Sequence, residues 1–263
     1  IWVSSFLKRE EAEDIRGMLH DNALPFTTGS QIVSALMLGL QEAFDREKIL
    51  LLFDAASHPN EEVKVRALIS ILITLYTYRK RTQLYPQIAD RLAALAETPG
   101  FIKTIRTIIL RFILARETEK ITRKLQDEII PEMLKLSPKL SKKINLNELT
   151  PEDLTGNEMN PEWESFFSDS TLGKKMVEFG ELQQEGADVM HSTFVHLKNF
   201  PFFHELSNWL LPFTIEHSYF DDQFTPDNEA EKQMLDSMTF AAFMCNSDKY
   251  SLYFSMMQLP KEA

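Results

Sequence analysis

The sequence has one cysteine, Cys245, and eight glycines among 263 residues. One cysteine excludes an internal disulfide and fits a reducing compartment, so we expect a cytoplasmic protein. No glycine-rich phosphate loop and no serine in a nucleophile elbow is present. The longest apolar runs, at 67–78 and 107–115, are shorter than the roughly 20 residues of a membrane-spanning helix. These absences predict a protein with no transmembrane helix, no cofactor and no catalytic site.

Charge is unevenly distributed along the chain. The formal net charge is −11, yet lysines and arginines are concentrated in residues 61–124, whereas the chain from 140 onward is strongly acidic. The sequence begins at Ile1 without an initiator methionine and ends at Ala263, so we expect it to be part of a longer protein.

Apolar residues recur every three or four positions almost throughout, which predicts an all-α protein. Ser30 and Asp45 are candidate N-caps of the second and third helices. The helix predicted at 61–79 is apolar nearly all round, which is typical of a helix buried on several sides. Its only polar line consists of Arg66, Ser70, Thr74 and Thr77. Further helices are predicted at about 83–97, 99–116 and 119–136.

The turn and helix "ASHPNEEVKVRALISIL" carry a more specific pattern. Pro59 and Asn60 precede Val63, Lys64 and Ala67. This segment resembles the turn and second helix of a HEAT repeat, with Lys64 where arginine is usual. The resemblance, together with helices of 16–20 residues joined by short turns, predicts an α-α superhelix of stacked antiparallel helix pairs, of HEAT or TPR type, over residues 1–136.

Residues 137–160 are polar and contain proline and glycine, which predicts a linker or long loop. A C-terminal helical region, arranged as a bundle, is expected at 161–263. Residues 160–220 also resemble long, uncharacterised bacterial proteins with tetratricopeptide repeats, although no 34-residue repeat is visible in this chain.

Three of the six histidines lie in "MHSTFVHLKNFPFFHELSNWLLPF", residues 190–213. His191 and His196 are five residues apart, so on a helix they do not share a face. Phe202, Phe203, Leu206, Trp209 and Leu210 would form one stripe of a second helix. We therefore interpret this segment as a packing hairpin. The alternative is a metal-dependent helical enzyme that uses His191, His204 and Asp221.

The acidic stretch "DDQFTPDNEAE", residues 221–231, lacks the spacing of a calcium loop. Pro226, Asp227 and Glu229 instead suit the N-terminus of a helix, where negative charge is favourable. Cys245 follows an apolar run with no histidine nearby, so we expect a structural thiol. We predict no metal site and no catalytic residue.

These observations favour a non-enzymatic protein-interaction or scaffolding segment of a larger bacterial repeat protein, which binds a protein or peptide partner. The candidate interaction surface comprises the basic residues Lys64, Arg66, Lys103, Arg106 and Arg111. The alternative is nucleic-acid binding through the basic face of 61–124, because such helical repeats can present lysines and arginines to phosphates. The overall acidity argues against it.

Overall fold

A computed structural model describes residues 1–4, 6–116, 198–214, 229–241 and 244–257, together with residues 118, 123 and 127. These residues form helices and contain no strand, so the prediction of an all-α protein is confirmed for them. The predicted linker at 137–160, the helix at 119–136 and the domain boundaries at 136 and 161 lie outside the described residues. The division into domains therefore stays a prediction.

Nine α-helices occur in the described ranges, and we number them in chain order. They are α1 (Arg9–His20), α2 (Phe26–Glu42), α3 (Arg46–Ala55), α4 (Glu61–Thr77), α5 (Arg79–Thr82), α6 (Pro86–Ala96), α7 (Phe101–Ala115), α8 (Glu229–Phe240) and α9 (Asn246–Met257). Two 3-10 helices, η1 (Pro201–His204) and η2 (Leu206–Leu210), lie between α7 and α8.

The starts of α3 and α4 follow from their capping residues. The side chain of Asp45 accepts hydrogen bonds from the main-chain N–H groups of Glu47 and Lys48, as predicted. Asn60 caps α4 in the same way. The predicted cap Ser30 is wrong, because α2 begins four residues earlier, at Phe26 after Pro25, and Ser30 is buried inside it.

The first hydrophobic core is built from α1 to α4 and joined by α6 and α7. Helix α2 packs most extensively on α4, and α3 contacts both of them. A buried carboxylate on α3, that of Asp54, lies 2.8 Å from Arg16 Nε on α1 and 3.2 Å from Arg91 on α6. The ion pairs fix α1 and α6 to α3 at a point where the carboxylate is shielded from water.

The second hydrophobic core is largely aromatic. It contains Phe202, Phe203, Phe213, Tyr250, Tyr253 and Phe254, with Leu211, Leu235 and Met238. The chain groups into two compact units, and both cores belong to the one that comprises Ile1–Ile109, Leu197–Ala241 and Cys245–Ala263. The other unit comprises Leu110–His196 and Ala242–Met244.

Residues 201–210 do not form the predicted α-helical stripe, and this prediction was wrong. Asn208 Nδ2 donates to the carbonyl of Phe202 at 2.9 Å, and Trp209 Nε1 donates to the carbonyl of Phe203 at 2.8 Å. Because side chains satisfy these two carbonyls, the segment turns as two short 3-10 helices. Phe202 and Phe203 are consequently buried, whereas Leu206 and Trp209 are exposed.

Tyr250 is fully buried in the aromatic core, and its hydroxyl group is hydrogen-bonded to the main chain. It donates to the carbonyl of Pro212 at 2.8 Å and accepts from the main-chain N–H of Thr214 at 3.0 Å. Burial raises the pKa of the Tyr250 phenol above its ordinary value. The protonated phenol therefore stabilises the fold fully below pH 10, and this contribution is lost as the pH rises towards the higher pKa of the folded state.

Tyr250→Phe is expected to lower the free energy of unfolding by about 1–2 kcal/mol at pH 7, because main-chain groups of Pro212 and Thr214 lose their hydrogen-bond partner. The difference from wild type should shrink between pH 9 and 11, since only wild type carries a phenol that resists ionisation. Urea unfolding followed by circular dichroism at several pH values measures both. The control is Tyr76→Phe, at an exposed tyrosine, which should cost less than about 0.5 kcal/mol. A pH-independent difference at position 250 would contradict the prediction.

Candidate interaction surface

The five basic residues of the predicted surface lie on two helices, with Lys64 and Arg66 on α4 and Lys103, Arg106 and Arg111 on α7. Their surroundings differ between the two helices. Lys64 Nζ lies 2.7 Å from Glu61 Oε1, an exposed pair one turn apart. Arg66 is only 20% exposed and lies 2.7 Å from Glu62 Oε1.

The guanidinium group of Arg66 connects distant parts of the chain. It donates to Ser34 Oγ on α2 at 2.8 Å and to the carbonyl of Leu210 at 2.5 Å. Asn246 at the start of α9 donates to the same Glu62 at 3.4 Å. Arg66 therefore holds η2 against α2 and α4, which is a structural role for its charge.

The middle of the polar line of α4 is turned inward. Ser70 and Thr74 are fully buried, and Ser70 Oγ donates to the carbonyl of Arg66 at 2.8 Å, whereas Thr77 is exposed. The prediction that α4 is buried on several sides holds only in part. Val63, Ala67, Leu68 and Ile71 are buried, whereas Val65, Ile69 and Ile73 on the other side are half-buried. Tyr76 near its end is exposed.

Helix α7 presents its cations to solvent. Lys103, Arg106 and Arg111 are all exposed. A spacing of four residues separates Lys103 from Thr107 and Thr107 from Arg111, so the three side chains lie along one line of the helix. Arg106 lies beside this line. The structure thus brings these three members of the predicted surface together on one helix.

The exposed part of α7 also carries large apolar side chains, which the sequence interpretation missed. Ile102, Ile109 and Ile113 are 56%, 43% and 57% exposed. Their spacings of seven and four residues place them on one side of the helix, with Arg106 among them. Leu110 and Phe112 are exposed beside them.

A different side of α7 faces the first core. Ile108 is buried there, and Phe101 and Ile105 pack against the same core. The apolar arc of α7 is therefore wider than the part that the core covers. A count of apolar positions around the helix would have shown this excess, since a helix with one buried face needs a stripe of only about 100°.

Comparison with protein-family models, with curated proteins and with solved structures gave no match in any of the three. Nothing in them identifies a HEAT or TPR repeat, so the resemblance of residues 56–72 to a HEAT repeat stays a prediction.

Two of the three residues of the alternative metal site, His191 and Asp221, lie outside the described residues, as do His196, Asp222 and Asp227. His204 is exposed at the end of η1. In the described ranges no three histidine, cysteine, aspartate or glutamate side chains are arranged so that they could hold a metal ion.

Cys245 lies at the surface immediately before α9. Its carbonyl accepts from the N–H groups of Asp248 and Lys249, and its Sγ lies 3.2 Å from Ser247 Oγ. Partial desolvation raises the pKa of the Cys245 thiol, which lowers the fraction of reactive thiolate. Because the thiol is exposed, its structural role stays a prediction.

None of the helices in the described ranges combines the length and the apolar character that crossing a bilayer requires.

Proposed function

We propose that this chain is a non-enzymatic protein-interaction segment, and that it binds its partner on the exposed side of α7. The surface that we assign comprises Ile102, Lys103, Arg106, Ile109, Arg111 and Ile113, and we call it the α7 surface. The observation that carries the proposal is the row of three exposed isoleucines on one side of a helix. Contiguous exposed apolar side chains edged by polar ones are typical of protein-binding sites.

The dimensions of the α7 surface suit a helical partner. Residues 102 and 113 are eleven positions apart, which corresponds to roughly 16 Å along the helix axis. A partner helix with apolar residues three and four positions apart would match this row. Arg106 lies within the row and Lys103 and Arg111 lie beside it, so acidic residues flanking the apolar stripe of the partner would be favourable.

The larger arrangement belongs to the same proposal. A superhelix of stacked antiparallel helix pairs over 1–136, followed by a C-terminal bundle, would leave such helix faces available for partners. The stacking of amphipathic helices α1–α4 around one core supports it. A role as a scaffold within a larger bacterial repeat protein, and a cytoplasmic location, rest on the sequence pattern and on the single cysteine.

Nucleic-acid binding is less well supported. It would draw on the charges of Lys64 and Arg66, yet both are bonded to glutamates, and Arg66 is also bonded to Ser34 and Leu210. A mobility-shift assay at low salt tests this alternative. A shift that is lost on Lys103→Glu with Arg111→Glu would favour it over protein binding.

The proposal predicts selective binding of acidic amphipathic helices. The probe is a fluorescent helical peptide with leucines three and four positions apart and glutamates on both flanks. A comparison peptide has lysines in place of the glutamates. Fluorescence anisotropy should show at least tenfold tighter binding of the glutamate peptide. Ile109→Glu should weaken that binding at least tenfold, because it places a carboxylate in the apolar row.

The matched control is Thr77→Glu, which adds the same charge at an exposed position at the end of α4, outside the α7 surface. It should weaken binding less than threefold. Equal losses of affinity for Thr77→Glu and Ile109→Glu would reduce the effect to net charge and contradict the α7 surface. Equal affinities for the two peptides would contradict the proposal that the partner helix is acidic.

A further inference from the structure

Polar bonds cross-link the parts of the chain that build the second core. These parts are the segment that contains η1 and η2, helix α8 and helix α9. Lys198 Nζ in that segment lies 2.6 Å from Asp248 Oδ1 on α9, and both side chains are largely buried. Lys249 Nζ on α9 donates to the carbonyl of Thr239 on α8 at 2.9 Å. With the main-chain bonds of the Tyr250 hydroxyl group, these contacts join the three parts into one body.

Polar side chains also bridge the second core and the first core. The two cores are separate clusters of buried apolar side chains. Within the described ranges, the hydrogen bonds between them are those of Gln31 to the carbonyl of Ser207 at 3.2 Å, of Arg66 to the carbonyl of Leu210 and of Asn246 to Glu62 at 3.4 Å. Gln31 belongs to α2, and Glu62 and Arg66 belong to α4. We call these three residues the latch.

The latch lies near the surface, where water competes for its bonds. The bond of Gln31 is exposed, and the Glu62 side chain is 42% exposed. Such bonds contribute little to stability, because each of them replaces a bond to water. Each core, by contrast, is held together by apolar burial, which is the dominant favourable contribution to folding. Opening the latch therefore requires less free energy than unfolding either core.

Ser34 on α2 lies beneath the latch. It is only 8% exposed, and its Oγ accepts from Arg66 Nη1 at 2.8 Å. The same nitrogen atom donates to the carbonyl of Leu210, so one guanidinium nitrogen bridges α2 and η2. The neighbouring residue Val33 is instead part of the first core and is fully buried. A reagent can therefore reach position 34 when η2 moves away, but it reaches position 33 only when the first core unfolds.

We propose that the latch is a reversible conformational switch, which opens while both cores stay folded, so that the second core moves away from α2 and α4 as one body. Contacts between separately packed parts of a chain are typically polar and permit relative motion. Partial openings at free energies below that of global unfolding are common in folded proteins. The switch controls access to Ser34 and the part of α2 around it, and it does not depend on the α7 surface.

The test measures the rate at which a single cysteine reacts with DTNB in a Cys245→Ser background. Ser34→Cys places the thiol beneath the latch, Val33→Cys places it in the first core, and Met238→Cys places it in the second core. The thiol at position 34 should react at least tenfold faster than the other two. In about 1 M urea the rates at positions 33 and 238 should rise at least tenfold and the rate at position 34 less than threefold, because opening the latch exposes little surface.

Two adjacent glutamates provide matched variants in the Ser34→Cys protein. Glu62→Ala removes the acceptor of both Arg66 and Asn246, and it should speed labelling at position 34 at least fivefold. Glu61→Ala removes an equal charge whose partner is Lys64, and it should change the rate less than twofold. Equal effects of the two substitutions would mean that the latch does not control access to position 34, which would contradict the proposal.

Equal labelling rates at positions 34 and 238 would overturn the proposal, because η2 would then leave α2 only when the second core unfolds. A second measurement keeps serine at position 34 and covers the case in which the cysteine variant fails to fold. Glu62→Ala should speed amide hydrogen exchange at Asn208 and Leu211 at least fivefold, whereas Glu61→Ala should change it less than twofold. Unchanged exchange at these two residues in Glu62→Ala would also overturn the proposal.

Discussion

Phe202→Ala is expected to lower the free energy of unfolding by about 3–5 kcal/mol, the largest effect that we predict. Phe202 is 1% exposed. Its ring centroid lies 4.6 Å from that of Tyr250, 5.2 Å from that of Phe254 and 5.3 Å from that of Phe203. Truncation would remove these aromatic contacts and leave a cavity in the second core.

Urea unfolding followed by circular dichroism measures this loss. The control is Phe6→Ala, which makes the same change at a phenylalanine that is 66% exposed, and it should cost less than about 0.5 kcal/mol. If Phe202→Ala lowered the free energy of unfolding by less than about 1 kcal/mol, the second core would not be tightly packed.

Arg66→Met should lower the free energy of unfolding by about 2–3 kcal/mol. Methionine fills part of the same volume but leaves the carbonyl of Leu210, Ser34 Oγ and Glu62 without the guanidinium donor. We discount the contribution of Glu62, because its side chain is 42% exposed and screened by solvent. The remaining cost comes from the two bonds to α2 and η2.

Lys64→Met is the matched control, because it removes a cation two residues away on the same helix. The partner of Lys64, Glu61, has a side chain that is 73% exposed, so the expected change is below about 0.5 kcal/mol. Hydrogen exchange gives an independent reading, since Arg66→Met should also speed exchange in residues 207–211. Equal losses for the two variants would contradict a cross-linking role for Arg66.

Much of the helical pattern was predictable from the sequence because it is local. Apolar periodicity predicted α1 to α4, and the short side chains of Asp45 and Asn60 mark where α3 and α4 begin. The prediction of Ser30 as an N-cap was wrong because the start of α2 is set by other residues. Serine suits an N-cap, but Pro25 fixes its own φ and starts α2 earlier, and the core then covers Ser30.

The candidate sites were less predictable because their partners are distant in sequence. Arg66 looked like a surface cation, since nothing local reveals that the carbonyl of Leu210 lies beside it. The burial of Lys48 likewise depends on contacts that are distant in sequence, with Gly39 and with the carbonyl of Ser4. The exposed isoleucines of α7 were visible in the sequence, but periodicity alone does not show which part of a wide apolar arc is covered.

The bond from Arg66 to Leu210 spans 144 residues, and the bond from Glu62 to Asn246 spans 184. A ribosome that adds about 5–20 residues per second needs roughly 7–30 s to synthesise the stretch between Arg66 and Leu210. During that interval the guanidinium group of Arg66 lacks its acceptor at Leu210. The contact between α4 and η2 can therefore form only after the helices of the first core have been synthesised.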